Sequence, residues 1–225
     1  MNNTLLLGIV GSMAYGLAHA GSDVDRLGVF AAPTEAFHGL RPPIDRAATV
    51  VRHDPDQTVH EARKLAMLCL DANPTVTELL WLPDELYEVR TDLGAELVAI
   101  RCAFASAPRV RDAYYGYAAS QFKRLLATGQ FQSKMRKRQA KHARHLLRLL
   151  DQGYEYYTTG RLTLRVDDPE KYRAFGEEVA ADPDAARPVL ADARERFAAA
   201  RSPLPSAPDE RAVEDWLLRV RKAYL

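Results

Sequence analysis

The chain has 225 residues, which suffices for one domain or two small ones with a buried core. Its formal net charge of +1 gives no global basic signal, and its two cysteines lack the spacing of a zinc site or a disulfide framework. The sequence has no secretory leader pattern and no apolar run of about 18 residues. We therefore expect a cytoplasmic protein with no membrane partner.

Charge is distributed unevenly along the chain. Residues 1–100 carry a net charge of −7, residues 101–165 carry +11 and residues 166–225 carry −3. An acidic first part could hold cations, and a basic middle could hold polyanions. An ordinary solvated basic helix surface is the alternative explanation of the middle part.

The first hundred residues alternate between strand-like and helix-like patterns. The predicted elements are a strand over 5–10, a short helix over 12–19, a strand over 24–31, and two short strands over 49–51 and 58–60. A helix begins near Glu61 and ends before Asn73-Pro74, because a residue before proline avoids the α region. Thr75 is the predicted N-cap of the next helix.

Strand patterns nearly vanish after residue 107. The predicted helices cover residues 109–127, 133–152, 168–180 and 185–200. Residues 202–208 form a predicted linker, and Asp209 is the predicted N-cap of a final helix. The sequence therefore predicts an α+β fold, with a small mixed sheet in residues 1–107 and a C-terminal helical domain with a basic face in residues 108–225.

The most informative motif joins the first two predicted strands. It reads Gly11-Ser12 after the first strand and Asp23-Val24-Asp25 at the start of the second. A strand that ends at Gly-Ser and opens a helix presents free backbone N–H groups, which suit a phosphate. Asp23 and Asp25 face the same side of an extended chain, about 6–7 Å apart, and repel each other unless a cation such as Mg²⁺ lies between them. This combination is what phosphoryl or nucleotidyl transfer needs.

The motif resembles the signature of the DNA polymerase β-like nucleotidyltransferase superfamily, a Gly-Ser at a helix start followed by Asp-x-Asp on the next strand. Residues 8–30 look most like one bacterial and phage branch of predicted nucleotidyltransferases, some of them encoded beside RNA-repair enzymes. Later positions that also look like this branch are Lys64, Asn73-Pro74-Thr75, Glu78-Leu79-Leu80, His145 and Arg148-Leu149-Leu150. The resemblance implies that residues 1–107 form a nucleotidyltransferase catalytic domain.

The resemblance also implies roles for individual residues of the motif. Gly11 and Ser12 would bind the triphosphate of the nucleotide. Asp23 and Asp25 would bind two Mg²⁺ (or Mn²⁺) ions that bridge the phosphates and activate the attacking hydroxyl. Tyr15 could stack on a base or sugar, or pack as a half-buried helix residue.

The superfamily places a third carboxylate on a neighbouring strand. Asp56 is the predicted third catalytic and metal-binding residue, because it opens the strand that leads into the helix of Lys64. Glu61 and Asp54 are the alternatives. The chain departs from the branch at Arg26, which follows the second aspartate directly, whereas the branch often has an aromatic residue there and then arginine.

Basic residues are further candidates for nucleotide binding. Lys64 is a predicted phosphate contact, with a surface ion pair as the alternative. One helical face carries Lys134, Arg138, Lys141, His145 and Arg148. Like charges at this spacing destabilise an isolated helix, so the face suits a triphosphate or an RNA backbone. Lys141 and Arg148 are predicted nearest to the nucleotide, and His145 could instead be a core histidine.

The sequence thus predicts a Mg²⁺-dependent nucleotidyltransferase that moves NMP from an NTP to an acceptor hydroxyl and releases pyrophosphate. RNA is the favoured acceptor, bound through the basic helical face. A protein or small-molecule acceptor is an alternative, and so is a catalytically silent module that only binds nucleotide or RNA. A metal-dependent glycosyltransferase also uses Asp-x-Asp, but the Gly-Ser helix start ten residues upstream and the small first domain argue against it.

Overall fold

A computed structural model describes residues 3–127 and 133–225, except for the side chains of residues 46, 127 and 133–135. The strands are β1 Thr4–Ile9, β2 Arg26–Phe30, β3 Thr49–His53, β4 Asp56–Glu61 and β5 Tyr87–Arg90. The helices of the first half are α1 Ser12–Tyr15, α2 Ala62–Leu70, α3 Pro74–Thr77 and α4 Asp92–Ala99. Those of the second half are α5 Ala107–Ala127, α6 Ser133–Thr159, α7 Pro169–Ala181, α8 Ala186–Ala199 and α9 Glu210–Ala223.

The strands form one mixed sheet in the order β3-β4-β2-β1-β5. The pair β2–β4 is parallel, and the other neighbours are antiparallel. The inner strands β1 and β2 bury Leu5, Leu6 and Val29 completely. A mixed sheet with a helical C-terminal region confirms the predicted α+β class.

The parallel pair gives the sheet two chemically different ends. Arg26 lies opposite Gln57 where β2 and β4 begin, and Phe30 lies opposite Glu61 where they end. We call these the Asp25 end and the Glu61 end. Asp56 and Glu61, the first and last residues of β4, are five residues apart, which is about 16 Å along the strand.

Several predicted boundaries shift in the structure. The predicted helix over 12–19 is a single turn, because Gly16 adopts a left-handed conformation with φ 71° after it. Asp23 and Asp25 precede β2 rather than lying within it. The predicted N-cap at Thr75 is wrong: the Asn73 side chain caps α3 by accepting a hydrogen bond from the Thr75 backbone N–H.

The chain divides into two compact units, Met1–Ala105 with Ala207–Leu225, and Ser106–Ser206. The last helix, α9, therefore belongs with the sheet, whereas the sequence assigned residues 108–225 to the helical domain. The physical reason is that α9 buries Trp216 fully, and the Trp216 Nε1 donates to the Leu93 carbonyl at 2.9 Å. Asp209 caps α9 as predicted, accepting from the Ala212 N–H.

The second unit packs α5, α7 and α8 around the long helix α6. Tyr114 and Tyr156 meet edge-on in its core, with ring centroids 6.2 Å apart. Gly153 allows α5 to approach, since a Cβ at that position would lie 2.4 Å from the Tyr114 Cβ. Within the described parts of the chain, none of the helices combines the length and apolar composition needed to cross a membrane.

Candidate active site

The turn between β1 and α1 is built around Gly11. Its φ of 70° lies in the left-handed region that favours glycine, and it caps α1 without a side-chain hydrogen bond. Two backbone hydrogen bonds stabilise the turn. The Tyr15 N–H donates to the Gly11 carbonyl at 3.1 Å, and the Leu17 N–H donates to the Ser12 carbonyl at 2.9 Å. Ser12 thus lies at the first position of α1, as the motif predicts.

Asp25 packs directly against this glycine. A Cβ added to Gly11 would lie 2.5 Å from the Asp25 Oδ2, so only glycine leaves room for the carboxylate. The backbone fixes the same contact, because the Val10 N–H donates to the Asp25 carbonyl at 2.9 Å. The structure therefore brings Gly11 and Asp25 together, while Asp23 lies exposed two residues earlier.

The predicted third carboxylate, Asp56, begins β4 at the Asp25 end of the sheet. The strand register pairs Arg26 with Gln57. Asp25 and Asp56 directly precede these two residues in the chain, so both lie at this end of the sheet. Asp56 is exposed, and Asp54 lies beyond the strand in the preceding turn. Among the described residues, however, no three His, Cys, Asp or Glu side chains gather closely enough to form a metal-binding group.

Glu61, the other alternative, lies at the opposite end of β4. Its carboxylate is only 1 % exposed, and it accepts hydrogen bonds from the Arg221 guanidinium at 2.7 and 3.1 Å. It also caps α2 by accepting from the Arg63 N–H at 2.8 Å. At about 16 Å along the strand from Asp56, Glu61 cannot share a cation with Asp25.

The donors at the Asp25 end suit a magnesium ion. Mg²⁺ prefers oxygen ligands and is commonly held by one or two carboxylates, with substrate phosphates and water completing its shell. Asp23 and Asp25 supply two carboxylates beside a turn whose glycine leaves room for the Asp25 carboxylate. The residues present therefore fit the ion together with a bound phosphate.

Tyr15 anchors the turn to the first unit's core. Its hydroxyl donates to Glu78, a carboxylate that is 4 % exposed. The sequence left two roles open for Tyr15, stacking on a ligand or half-buried packing. In this structure Tyr15 is half-buried and packs in the protein. In the sequence, the signal for this contact is a single charged residue, Glu78, in the mostly apolar stretch Val76–Leu82.

Arg26 is held within the sheet at the same end. Its Nε donates to the Glu88 Oε2 of β5 at 2.7 Å, and this hydrogen bond raises the pKa of the guanidinium. Both partners are partly exposed, so the pair adds little stability. Its effect is to hold Arg26 toward β5.

Lys64 lies away from the Asp25 end. It follows Glu61 by three residues, and its Nζ donates to the Asp45 carbonyl at 2.8 Å. Both residues line a small cavity of about 150 Å³ together with Phe37 and Met67. Lys64, the predicted phosphate contact, thus binds a backbone carbonyl of the protein in this structure.

The predicted basic face of α6 is exposed for only part of its length. Arg138 and Lys141 are exposed, whereas Arg148 is 3 % exposed and donates to the Gln152 Oε1 at 2.5 Å. The side chain of Lys134 lies outside the described residues. The face is therefore exposed at one end of the helix and buried at the other, where α5 and α7 pack against α6.

His145 lies half-buried on this face. Desolvation, with Arg148 as the next cause, lowers the pKa of His145 to about 3, so the imidazole is neutral at pH 7. This favours the alternative that the sequence left open, a histidine that packs in the protein. The role of Lys141 at the nucleotide stays a prediction, and a nucleotide contact from Arg148 would require it to leave its buried position.

Comparison with known families matches most of the chain to a family model. The model of RlaP, described as the RNA repair pathway DNA polymerase beta family, matches residues 2–169. The match includes the Gly-Ser turn, the aspartate pair, the whole sheet and helix α6, and it ends at the first residue of α7. No curated protein matches the chain.

Proposed function

Because the chain belongs to the RNA repair pathway DNA polymerase beta family, we propose that it is a Mg²⁺-dependent nucleotidyltransferase that transfers NMP from an NTP to a hydroxyl of RNA. The observation that carries this proposal is the contact between Gly11 and Asp25. A carboxylate packed onto the glycine of a phosphate-binding turn brings together the two groups that hold a nucleotide triphosphate.

The chemistry is an in-line displacement at the α-phosphorus. The acceptor hydroxyl oxygen forms a bond to this phosphorus, and the bond from the phosphorus to the bridging oxygen of the β-phosphate breaks. Pyrophosphate leaves with the electron pair, and the hydroxyl proton passes to solvent. The backbone N–H groups at Gly11 and Ser12 bind phosphate oxygens and hold the triphosphate in line with the acceptor.

Asp23 and Asp25 would hold the magnesium, with Asp56 as the candidate for a third ligand. When bound, the ion supplies positive charge to the phosphate oxygens and to the attacking hydroxyl. The structure's own contribution is to fix Asp25 through the Val10–Asp25 backbone bond and the close fit to Gly11. Asp23, which is exposed, is free to turn toward the phosphates.

RNA as the acceptor is supported by the family description and by exposed basic residues. On α6, Arg136, Lys137, Arg138 and Lys141 are all exposed. Exposed arginines and lysines contact phosphates and give affinity without sequence preference. Their placement fits an RNA backbone better than a small uncharged acceptor.

Transfer is tested with each α-³²P-labelled NTP, total RNA and Mg²⁺ or Mn²⁺. We expect label on RNA with the wild-type protein and a loss of about a hundredfold or more with Asp25→Asn or Asp23→Asn. Both positions lie at the surface or partly so, so unfolding midpoints should stay near wild type.

The same assay separates the alternatives. Label on protein or on a small molecule would replace RNA as the acceptor. Nucleotide binding without transfer of label would favour a catalytically silent module, the alternative that the lack of a three-carboxylate group among the described residues supports. Full transfer by folded Asp25→Asn would overturn the metal mechanism. If Asp25→Asn loses transfer, Asp56→Asn and Asp54→Asn test the two remaining candidates for the third ligand.

A further inference from the structure

A groove in the second unit combines aromatic and arginine side chains. It lies between α5 and α8, has a volume of about 550 Å³, and is entirely contained in the second unit. Tyr115 and Phe122 line it from α5, and Arg187 and Arg194 line it from α8. Leu190, which is 8 % exposed, lies between the two arginines in sequence and closes the floor.

The spacing aligns the four side chains in two facing rows. Tyr115 and Phe122 are seven residues apart, as are Arg187 and Arg194, so each pair lies on one face of its helix about 10 Å apart. The Arg187 Cζ lies 5.2 Å from the centroid of the Phe122 ring, a cation–π contact that already joins the rows. The small side chains of Ala191 and Ala198 line the groove and leave space between the two rows.

The charge of the groove points to an anionic ligand. Arg194 is exposed, and Arg187 is 60 % exposed although it also pairs with Asp184. Glu195 is the single acidic residue among those lining the groove. Lys123 lies exposed on α5 directly after Phe122 and adds to the positive charge on that helix.

We propose that this groove binds a single-stranded segment of RNA, with bases stacked on Tyr115 and Phe122 and the guanidinium groups of Arg187 and Arg194 contacting phosphates or base faces. Aromatic rings beside arginines bind bases of any sequence because every base has a flat π-face. An RNA duplex keeps its bases stacked inside and offers none to such a groove. The inference goes beyond the proposed transfer reaction and depends on it only for the choice of RNA as partner.

The test measures RNA binding by the full chain without nucleotide or metal. A fluorescent single-stranded RNA of about 12 nucleotides and the same strand in a duplex are titrated in EDTA, and fluorescence anisotropy gives each Kd. The variants are Tyr115→Ser with Arg194→Gln, Tyr115→Phe, and Arg201→Gln as a matched loss of one exposed positive charge in the same unit. Thermal unfolding shows that each variant is folded.

We expect the double variant to raise the Kd for the single strand at least about fivefold, the effect of losing one stacked base. Tyr115→Phe keeps the ring and should bind like wild type, and Arg201→Gln should weaken binding much less than the double variant. An unchanged Kd in the double variant, an equal loss for single strand and duplex, or a defect in Tyr115→Phe equal to that of the double variant would overturn the proposal. A protein that binds neither RNA would overturn it too.

This outcome is independent of the transfer assay. Binding that depends on Tyr115 but comes with no NMP transfer would overturn the proposed function and leave the groove in place. If the double variant transferred NMP to RNA and bound the single strand as well as wild type, the groove proposal would be overturned and the proposed function would stand.

Discussion

The two ends of the β2–β4 strand pair use acidic side chains in opposite ways. At the Glu61 end, the Glu61 carboxylate is 1 % exposed and its oxygens are engaged by Arg221 and by the backbone of Arg63. At the Asp25 end, Asp23 and Asp56 are exposed, and Asp25 is partly exposed against Gly11. One end commits a buried carboxylate to holding the fold together, and the other places carboxylates at or near the protein surface.

The largest effect on stability should come from the Glu61 end. Arg221→Ala leaves the Glu61 charge buried without its guanidinium, which should lower the free energy of unfolding by about 3–5 kcal/mol in urea titrations. Arg219→Ala on the same helix is the matched control, because its ion pair with Glu96 has a similar length, 2.8 Å, but partners that are 49 % and 43 % exposed. We expect that control to lose at most about 1 kcal/mol. Equal losses would show that burial does not distinguish the two pairs.

Gly11→Ala should have the largest effect on activity at the Asp25 end. The added methyl would occupy the position of the Asp25 Oδ2, and displacing that carboxylate should lower nucleotidyl transfer by about a hundredfold. The φ of 70° adds a backbone cost of about 1–2 kcal/mol.

Gly21→Ala separates these two causes. Gly21 also has a left-handed φ, 88°, but no atom lies within 4 Å of an added Cβ. It should show the stability loss of Gly11→Ala without the loss of transfer. Two variants with equal activity would contradict the role of the Gly11–Asp25 contact.

A smaller effect is expected where Tyr15 ties the Gly11-Ser12 turn to Glu78. Tyr15→Phe removes one hydrogen bond to a carboxylate that is 4 % exposed, so the free energy of unfolding should fall by about 1–3 kcal/mol. Because α1 is a single turn, we also expect a higher KM for the NTP with less change in kcat. Glu78→Gln keeps a hydrogen-bond acceptor and should retain more of the wild-type KM. An unchanged KM in Tyr15→Phe would show that the turn holds itself in place.

Sequence patterns predicted the elements whose determinants are local. The Gly-Ser turn, the first two strands and the long helices follow from short-range periodicity and from breakers such as Pro74. Strand β5 was not predicted, because Tyr87–Arg90 has four residues at the edge of the sheet and too short a pattern to distinguish it from a loop.

The roles of some charged residues could not be predicted from the sequence, because their partners are distant in the chain. The sequence leaves Glu61 open as a metal ligand. In the structure its carboxylate binds Arg221, which lies 160 residues later in the chain. Arg148 falls on a basic face by helical spacing, but α7 packs against that helix, and no pattern within α6 indicates which turn is covered. A single charged residue can therefore be assigned to structure or function only when its neighbours in space are known.

The last effect is confined to acid pH and concerns His60, which precedes Glu61 at the end of β4. Burial, with Lys64 as a lesser cause, lowers the pKa of His60 to about 4. In the unfolded chain a histidine binds its proton near pH 6.5. Between these values the unfolded chain binds more protons than the folded one, so stability is complete above about pH 6.5 and falls as the pH drops toward 4.

His60→Gln should reduce this pH dependence, measured as the free energy of unfolding in urea at steps between pH 6.5 and 4. It keeps a polar partner for Thr49, whose hydroxyl lies 3.0 Å from the His60 Nδ1. His53→Gln is the matched control, because His53 is exposed and lies opposite Asp56 at the Asp25 end. We expect the control to keep the wild-type slope. If His53→Gln flattened the slope and His60→Gln did not, the exposed end of the strand pair, rather than the buried one, would be the source of acid sensitivity.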